Sequence, residues 1–248
     1  MSTSPDFWAV IPAAGVGRRM GADRPKQYLT LAGRTVLEHT LDIFIRSPRI
    51  TGLAVAIGGE DEYYRELTIR SDKPLLVVHG GEERCHSVLN ALRALKHQAA
   101  DDDWVLVHDA ARPCLSDEDL ERLLDTLRDD PVGGLLAAPV ADTLKRADTQ
   151  GRVAQTVDRG GLWRAFTPQM FRYAMLVEAM EYARRQGLLV TDEASAMELA
   201  GHAPRLVEGS PANLKITSPA DLALAEFFLN QGNATQRRKD AEERKEDL

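Results

Sequence analysis

The sequence has few cysteines and no long apolar run. Its two cysteines, Cys85 and Cys114, have neither a C-x-x-C spacing nor a histidine pair at zinc-ligand spacing, and either fits an ordinary buried thiol. No apolar stretch approaches the roughly 20 residues of a membrane span. The chain also does not open on a charged and then apolar leader. We therefore expect a cytoplasmic protein that does not enter the membrane.

The sequence also lacks an excess of positive charge. Its formal net charge is −7, so nothing in the overall charge favours sequence-independent binding of nucleic acid. The 248 residues are 44% hydrophobic, which is enough for a substantial core. A cluster of basic residues in one loop of such an acidic chain is therefore a stronger sign of a local binding site than a basic surface would be.

That cluster lies in a glycine-rich stretch after an apolar run. Residues 7–11 predict a short buried strand, and Gly15 and Gly17 follow in a loop of small residues. Successive backbone N–H groups in such a loop can form a nest for phosphate oxygens. Side-chain cations add the charge that a nucleoside triphosphate requires, and the stretch supplies Arg18, Arg19, Arg24 and Lys26. A solvated glycine turn with scattered basic residues is the alternative interpretation.

Two better-known glycine motifs fit this stretch poorly. A P-loop needs Gly-Lys followed by Ser or Thr, and no such tripeptide follows Gly15 or Gly17. The dinucleotide-binding fingerprint G-x-G-x-x-G, if it began at Gly15, would need its third glycine at position 20. The glycine in this chain is Gly21, one place too late. The acidic residue expected about 20 positions on would be Glu38, which lies inside a predicted helix. Walker-type binding is excluded, and NAD binding has little support.

Strand-like and helix-like segments alternate along the rest of the chain. Apolar runs without polar alternation predict strands buried on both faces, as in parallel sheets. We predict an α/β fold with a mostly parallel central sheet and helices on both faces. The predicted strands are residues 53–57, 75–78, 104–107, 135–140 and 205–209. The predicted helices are residues 35–44, 61–69, 84–96, 117–128 and 172–186, one beginning at 191–192, and one through residue 228.

Two further loops follow predicted strands. Gly80 and Gly81 precede a helix, so the amides of this loop are expected at the same sheet edge as the first loop. Asp109 follows the strand 104–107, where ligands of open α/β sheets bind. A helix cap or a carboxylate that braces the loop is the alternative interpretation of Asp109.

Residues 141–158 depart from this alternation and predict a β-hairpin arm that projects from the sheet. A lone two-stranded ribbon is marginal in water, so we expect the arm to pack on another subunit.

We predict a single domain over residues 1–230 and a charged, disordered tail over residues 231–248.

Five segments together resemble the 2-C-methyl-D-erythritol 4-phosphate cytidylyltransferase family of the non-mevalonate isoprenoid pathway, over nearly the whole chain before the tail. The first segment marks the wider sugar-nucleotidyltransferase superfamily, whereas the other four, in this order, are specific. The segments are residues 12–28, 80–88, 107–113, 191–195 and 213–217.

The resemblance implies a Rossmann-like nucleotidyltransferase fold and transfer of CMP from CTP to methylerythritol phosphate, with release of pyrophosphate. It also implies a divalent metal such as Mg²⁺ and a homodimer with interlocking arms. The implied CTP-binding residues are Pro12, Ala13, Ala14, Gly15, Gly17, Gly81, Glu82, Ser87, Asp109 and Ala110. Arg19 and Lys26 are the implied transition-state stabilisers, and Arg159 and Lys215 position the methylerythritol phosphate. The implied lining of its pocket is Asp109, Arg112, Thr143, Thr167 and Thr191, some of them from the other subunit.

One position departs from the family pattern, because the family commonly has aspartate where this chain has Glu82. The contact there is largely through the backbone, so we expect the change to be tolerated.

The chemistry of the substrates fits the side chains present. The second pKa of a phosphate monoester is near 6, so the attacking oxygen is mostly deprotonated at neutral pH and needs no general base. The site segments accordingly offer cations, threonines and Asp109, without a Ser-His-Asp arrangement. Mg²⁺ would be held mainly by triphosphate oxygens, with at most a carboxylate such as Asp109.

Two other functions remain open at this point. A cytidylyltransferase for another polyol phosphate, such as ribitol 5-phosphate, would share the loops and differ in the pocket around Arg159, Thr167 and Thr191. A nucleotide sensor or scaffold would keep the fold without turnover. The presence of Arg19, Lys26, Asp109 and Lys215 together argues against a mere binder, which has no use for every transition-state cation.

Overall fold

The computed structural model of the chain describes residues 5–15 and 24–231. The predicted site residues Gly17 and Arg19, and the tail beyond residue 231, lie outside these ranges. The strands are β1 Phe7–Pro12, β2 Thr30–Leu31, β3 Arg34–Thr35, β4 Gly52–Ile57, β5 Leu75–His79, β6 Trp104–Val107, β7 Gly133–Pro139, β8 Leu144–Ala147, β9 Val153–Val157, β10 Trp163–Arg172 and β11 Arg205–Glu208. The helices are α1 Val36–Arg46, α2 Glu62–Arg65, α3 Arg84–Ala94, α4 Asp117–Leu127, α5 Tyr173–Arg185, α6 Glu193–Leu199 and α7 over residues 219–231.

Seven of these strands form the central sheet, in the order β11-β7-β10-β6-β1-β4-β5. β10 runs antiparallel to its two neighbours, β6 and β7, whereas every other pairing in the sheet is parallel. The predicted α/β fold with a mostly parallel sheet is confirmed. The neighbouring strands β5-β4-β1-β6 have the order 3-2-1-4 of the Rossmann fold. Successive strands are added on one side of β1 up to β5 and on its other side from β6, so the topological switch point lies between β1 and β6.

β1 explains why the strands are apolar without alternation. Ala9 and Ile11 pack into the core on one face of the sheet, and Trp8 and Val10 pack into the core on the other. Helices cover both faces, so neither set of side chains meets water. α1 and α4 cover the first face, and α3, α5 and α6 cover the second.

Polar side chains cap the starts of three helices. Thr35 caps α1, accepting from the Glu38 N–H, while the Glu38 side chain accepts from the Thr35 N–H. This reciprocal capping box satisfies two backbone donors that a helix end leaves without partners. Asp192 and Ser195 form a second capping box at α6, and Ser116 caps α4 by accepting from the Asp119 N–H.

The predicted helix over residues 61–69 is wrong beyond residue 65. α2 is a single turn that ends at Arg65, and Thr68 and Ile69 lie outside it. Both of these residues are β-branched, which lowers helix propensity. The turn is instead fixed by tertiary contacts, because the Tyr28 hydroxyl donates to Asp61 Oδ2 at 2.6 Å and the rings of Tyr28 and Tyr63 stack.

The predicted arm is a two-stranded antiparallel sheet of its own, formed by β8 and β9. Its strands are largely exposed, and Val153 is 66% exposed.

No helix in the described part of the chain combines the length and the apolar character that a membrane span requires. The division into one domain and a tail stays a prediction.

Candidate active site

The candidate site lies at the carboxyl edge of the parallel strands. Backbone hydrogen bonds continue the sheet briefly past the strand ends, from the Ala13 N–H to the Ala56 carbonyl at 2.7 Å and from the Gly80 N–H to the Ile57 carbonyl at 2.7 Å. The His108 N–H likewise donates to the Val10 carbonyl at 2.9 Å. The three predicted loops therefore meet at one edge, where ligands of open α/β sheets bind.

These loops enclose an open cavity of about 320 Å³. This is a suitable size for a small-molecule ligand. Its lining is Pro12, Ala13, Ala14, Gly15, Lys26, Gln27, Gly81, Glu82, Glu83, Arg84, Ser87, Asp109, Ala110, Ala111, Lys215 and Thr217. The cavity thus gathers eleven of the predicted site residues: Pro12, Ala13, Ala14, Gly15, Lys26, Gly81, Glu82, Ser87, Asp109, Ala110 and Lys215.

The first loop is held in place by Gln27. Its amide Nε2 donates to the carbonyls of Ala13 at 2.6 Å and Gly15 at 3.0 Å. Gln27 is buried, so these bonds are shielded from water. Because the loop carbonyls are engaged by Gln27, they are turned toward the protein and not toward an incoming anion.

The second loop lies against the first. The Gly81 N–H donates to the Ser87 hydroxyl at 3.1 Å, which ties the loop to the first turn of α3. Gly80 is the point of closest approach, since a Cβ there would lie 2.3 Å from Ala14 Cβ and 2.8 Å from Ser87 Oγ. Gly80 therefore sets the distance between the two loops.

Replacing Gly80 with alanine is expected to push the loops apart. The added methyl group overpacks the contact, which typically costs about 1–3 kcal/mol, and we expect the KM for CTP to rise about tenfold. Steady-state kinetics and urea unfolding measure both effects. Gly59→Ala is the control, because a Cβ there meets no described atom within 4 Å. Equal CTP affinity in the two variants would contradict this account of the loop contact.

Asp109 is the centre of charge in the cavity. Its Oδ1 accepts from Arg84 Nε at 2.9 Å, and its Oδ2 accepts from Lys215 Nζ at 2.9 Å and from Arg112 Nε at 3.4 Å. Burial alone raises the pKa of Asp109, but the charges of Arg84, Lys215 and Arg112 outweigh it and hold this pKa well below its usual range. Asp109 is therefore ionised at neutral pH.

Two lysines approach the cavity from different elements. Lys26 lies in a short 3₁₀ turn, and its Nζ donates to the Ile216 carbonyl at 3.0 Å. Lys215 directly precedes Ile216 in the chain, and both lysines line the cavity. Such an arrangement suits a ligand with several negative charges.

A buried polar layer supports Asp109 from below. The Asp109 N–H donates to Thr167 Oγ1 at 3.1 Å, and Thr167 Oγ1 is 3.0 Å from His108 Nδ1. Arg112 NH1 donates to the Asn213 carbonyl at 2.7 Å. Asn213 Nδ2 donates to the Thr167 carbonyl at 2.7 Å. Thr167 and Arg112, both predicted to line the substrate pocket, are buried in this layer and do not line the cavity.

His108 is held as a neutral ring in that layer. Its Nε2 is 2.9 Å from the Arg112 carbonyl, which can only accept, so Nε2 carries the proton and Nδ1 accepts from the Thr167 hydroxyl. Burial lowers the pKa of His108 from 6.5 to about 4. Both ring nitrogens are engaged, so His108 is a structural residue.

His108 makes stability depend on pH. Between pH 6.5 and about 4, the unfolded chain binds a proton at this residue and the folded chain does not. The free energy of unfolding should therefore fall as the pH drops through this window, by up to about 3 kcal/mol. Urea unfolding at several pH values measures the slope, which should be smaller in His108→Asn and unchanged in the exposed control His97→Asn. Parallel profiles for His108→Asn and the unmutated chain would contradict the neutral buried ring.

Three predicted residues lie away from the cavity lining. Thr143 and Arg159 are exposed at the base of the arm, where Arg159 donates to the Ala141 carbonyl. Thr191 is exposed immediately before α6. Their proposed contacts with a substrate stay predictions, as does that of Arg19.

Several residues of the site were not predicted as functional from the sequence. Gln27 and Arg84 line the cavity, and Glu193 is fully buried against Arg84. Gln27 and Glu193 lie within the segments that carry the family resemblance, but their roles depend on partners elsewhere in the fold. Burial raises the pKa of the Glu193 carboxyl above its ordinary value, although the adjacent Arg84 acts in the opposite direction.

Proteins of known function are similar to the chain over almost its whole length. A curated 2-C-methyl-D-erythritol 4-phosphate cytidylyltransferase from Pseudomonas putida is 58% identical over 223 residues, which are 90% of this chain and 95% of that protein. One from Pseudomonas fluorescens is 59% identical over 219 residues, which are 88% of this chain and 93% of that protein.

Solved structures agree with these relatives. The Francisella tularensis 2-C-methyl-D-erythritol 4-phosphate cytidylyltransferase superposes with a TM-score of 0.78 at 38% identity, covering 90% of this chain and 99% of that one. The Thermus thermophilus enzyme gives 0.74 at 34% identity, covering 90% and 98%. The family model for 2-C-methyl-D-erythritol 4-phosphate cytidylyltransferase matches residues 7–231. With the loops, the cavity and these matches in agreement, the chain belongs to the 2-C-methyl-D-erythritol 4-phosphate cytidylyltransferase family.

Proposed function

We propose that the chain is a nucleotidyltransferase that transfers CMP from CTP to 2-C-methyl-D-erythritol 4-phosphate in isoprenoid precursor biosynthesis. The products are 4-diphosphocytidyl-2-C-methyl-D-erythritol and pyrophosphate. The observation that carries this proposal is the 58% identity to a curated enzyme of that activity over 90% of the chain. The cavity supports it, because amides and cations converge there at the edge of the sheet.

The chemistry requires two anions to be brought together. A phosphate oxygen of methylerythritol phosphate attacks the α-phosphorus of CTP, and the bond from that phosphorus to the oxygen bridging to the β-phosphate breaks. The attacking phosphate has its second pKa near 6 and is mostly deprotonated at neutral pH. Catalysis therefore consists of holding the groups in line and stabilising the charge on the pentavalent phosphorus.

We assign roles to the side chains on this basis. Lys26 and Arg19 stabilise charge at the α-phosphate, and Lys215 and Arg159 position the methylerythritol phosphate. The nucleotide lies along the first two loops, against the backbone of residues 12–15 and 81–82. Support comes from Lys26 and Lys215, which both line the cavity, and from the Ser87 hydroxyl, which orders the Gly81 amide.

We also propose that a divalent cation such as Mg²⁺ takes part. The part of the chain that the structure describes contains no cluster of three or more His, Cys, Asp or Glu that could hold a metal. Mg²⁺ commonly binds substrate phosphates with only one or two carboxylates, so Asp109 alone fits such an ion. Both Asp109 oxygens already face cations, which makes it a minor ligand. The ion would neutralise charge on the triphosphate.

The activity is tested by measuring pyrophosphate release with CTP, Mg²⁺ and either methylerythritol phosphate or ribitol 5-phosphate. We expect turnover with methylerythritol phosphate and little with ribitol 5-phosphate. A preference for ribitol 5-phosphate would identify the related cytidylyltransferase activity. CTP binding without pyrophosphate release from either acceptor would identify a nucleotide sensor.

We further propose a homodimer formed through the arm, working in the cytoplasm, where CTP is available. Three apolar side chains on and beside the arm support the dimer: Val153 is 66% exposed, Leu162 38% and Trp163 37%. An isolated ribbon with such side chains is marginal in water. Light scattering at micromolar concentration should give twice the chain mass, and Val153→Lys should weaken the association. A monomer in the unmutated chain would contradict the proposal.

A further inference from the structure

Glu193 is a fully buried carboxylate beside the cavity, with an exposed fraction of 0%. It begins α6, but it is not the cap of that helix, because Asp192 accepts the Ser195 N–H. Its two oxygens instead accept from Arg84, Oε1 from NH1 at 2.7 Å and Oε2 from NH2 at 3.1 Å. A buried carboxylate is costly unless it is paired in this way. Capping of α6 therefore does not account for Glu193, and its contacts are with Arg84.

Arg84 also contacts Asp109, through its Nε–H. The Nε of Arg84 donates to Asp109 Oδ1 at 2.9 Å. A guanidinium group is planar, so fixing both terminal nitrogens also fixes the direction of the Nε–H bond. Arg84 is the partner of Oδ1, whereas Lys215 and Arg112 meet Oδ2. Glu193, acting through Arg84, therefore fixes the Oδ1 side of the Asp109 carboxylate, while Lys215 and Arg112 hold Oδ2.

The same pair links the two sides of the site. Arg84 directly follows Gly81–Glu83, the loop assigned to the nucleotide, and it lines the cavity. Glu193 lies two residues after Thr191, which the family resemblance assigns to the methylerythritol phosphate. The link joins α3 to α6 across 109 positions of sequence.

We propose that Glu193 and Arg84 are a positioning pair for the transfer reaction: Glu193 orients Arg84, and Arg84 orients Asp109 and the nucleotide loop. The inference rests on the function proposed above. Neither residue is assigned to the reacting atoms. Together with Asp109, Arg112 and Lys215, they form a cluster of three cations and two carboxylates. Neutralising Glu193 would leave Arg84 with surplus charge and free to turn toward the phosphates of a bound substrate.

This arrangement predicts a separation of kcat from KM. In Glu193→Gln, Arg84 can still attract the triphosphate, so the KM for CTP should stay within about threefold of the unmutated value. Arg84 would no longer be fixed against Oδ1 of Asp109, and a misplacement of about 1 Å in a site can cost about 10²-fold in rate. We expect kcat to fall by about that factor in Glu193→Gln and in Arg84→Met. A general loss of folded protein would instead reduce activity in proportion to the unfolded fraction.

The test is a double-mutant cycle with a matched control. Because Glu193 acts through Arg84, the double variant should lose no more than the worse single variant. Arg93→Met and Glu181→Gln are the controls. Arg93 and Glu181 form an exposed ion pair that joins α3 to α5, and neither residue lines the cavity. Their kcat should stay within about twofold. Circular dichroism and thermal unfolding confirm that each variant is folded at the assay temperature.

A second variant covers the case in which Glu193→Gln folds poorly. In Arg84→Ala, added guanidinium ion should bind between Glu193 and Asp109 and restore part of kcat, while it should not restore Lys26→Ala. Unchanged kcat in both single variants, multiplicative losses in the double variant, or no rescue of Arg84→Ala would each overturn the positioning pair. An unmutated chain that releases no pyrophosphate would overturn the proposed function, and this inference with it.

Discussion

Lys26→Ala is expected to lower kcat for CMP transfer by roughly 10²–10⁴-fold. A single preorganised donor at a developing negative charge typically contributes 10²–10³-fold, and a full positive charge in a partly enclosed cavity contributes more. The Lys26 side chain lines the cavity, and its Nζ is held by the Ile216 carbonyl at 3.0 Å. Its position is therefore set before substrate binds, and alanine removes both the charge and the preorganisation. Single-turnover kinetics with saturating CTP measure the effect on the chemical step.

The fold should survive this change. Lys26 is only half-buried, so we expect a loss of at most about 1 kcal/mol in the free energy of unfolding. Lys96→Ala, in the short turn that follows α3, is the matched control, because Lys96 is exposed and should not be needed for activity. Near-normal turnover by folded Lys26→Ala would refute the role assigned to this lysine.

Asp109→Asn is expected to damage both activity and stability. Three cations share the Asp109 carboxylate, and breaking a buried ion pair by removing one partner typically costs about 3–5 kcal/mol. Repulsion among Arg84, Arg112 and Lys215 would also displace the lysine assigned to the methylerythritol phosphate. We expect kcat/KM for that substrate to fall by at least about 10²-fold. Urea unfolding and steady-state kinetics on the same preparation measure the two effects.

Asp125→Asn provides the comparison for this prediction. Asp125 pairs with Arg49 on the surface, and its side chain is 66% exposed, so its loss should cost less than about 1 kcal/mol and leave kcat/KM unchanged. If Asp109→Asn were as mild as Asp125→Asn, the charge cluster would not be the organising feature of the site.

The architecture was predictable because its signals are local. An uninterrupted apolar run such as residues 53–57 indicates a strand buried on both faces, and Thr35 with Glu38 marks a helix start within four residues. The one wrong helix, over residues 61–69, shows the limit of such signals. There the chain is shaped by Tyr28, a residue more than 30 positions away that donates to Asp61.

The site was predictable to the level of its loops. Strand ends at one sheet edge bring residues 12–15, Gly81 and Asp109 together, and this follows from parallel pairing alone. The pairing of Arg84 with Glu193 joins distant segments, and no spacing rule connects them. Thr167 illustrates the same limit, because only the folded chain shows its hydroxyl accepting from the Asp109 N–H.

The central claim is that fixed side-chain cations and backbone amides, with a divalent cation on the triphosphate, bring the two phosphates into line without a general base. A crystal structure of the chain with CTP and Mg²⁺ tests it most directly. The account predicts the triphosphate in the cavity above Asp109, with the α-phosphate oxygens in hydrogen-bonding contact with Lys26 Nζ and the Arg19 guanidinium. A nucleotide bound at another face, or Lys26 and Arg19 pointing away from the triphosphate, would contradict it.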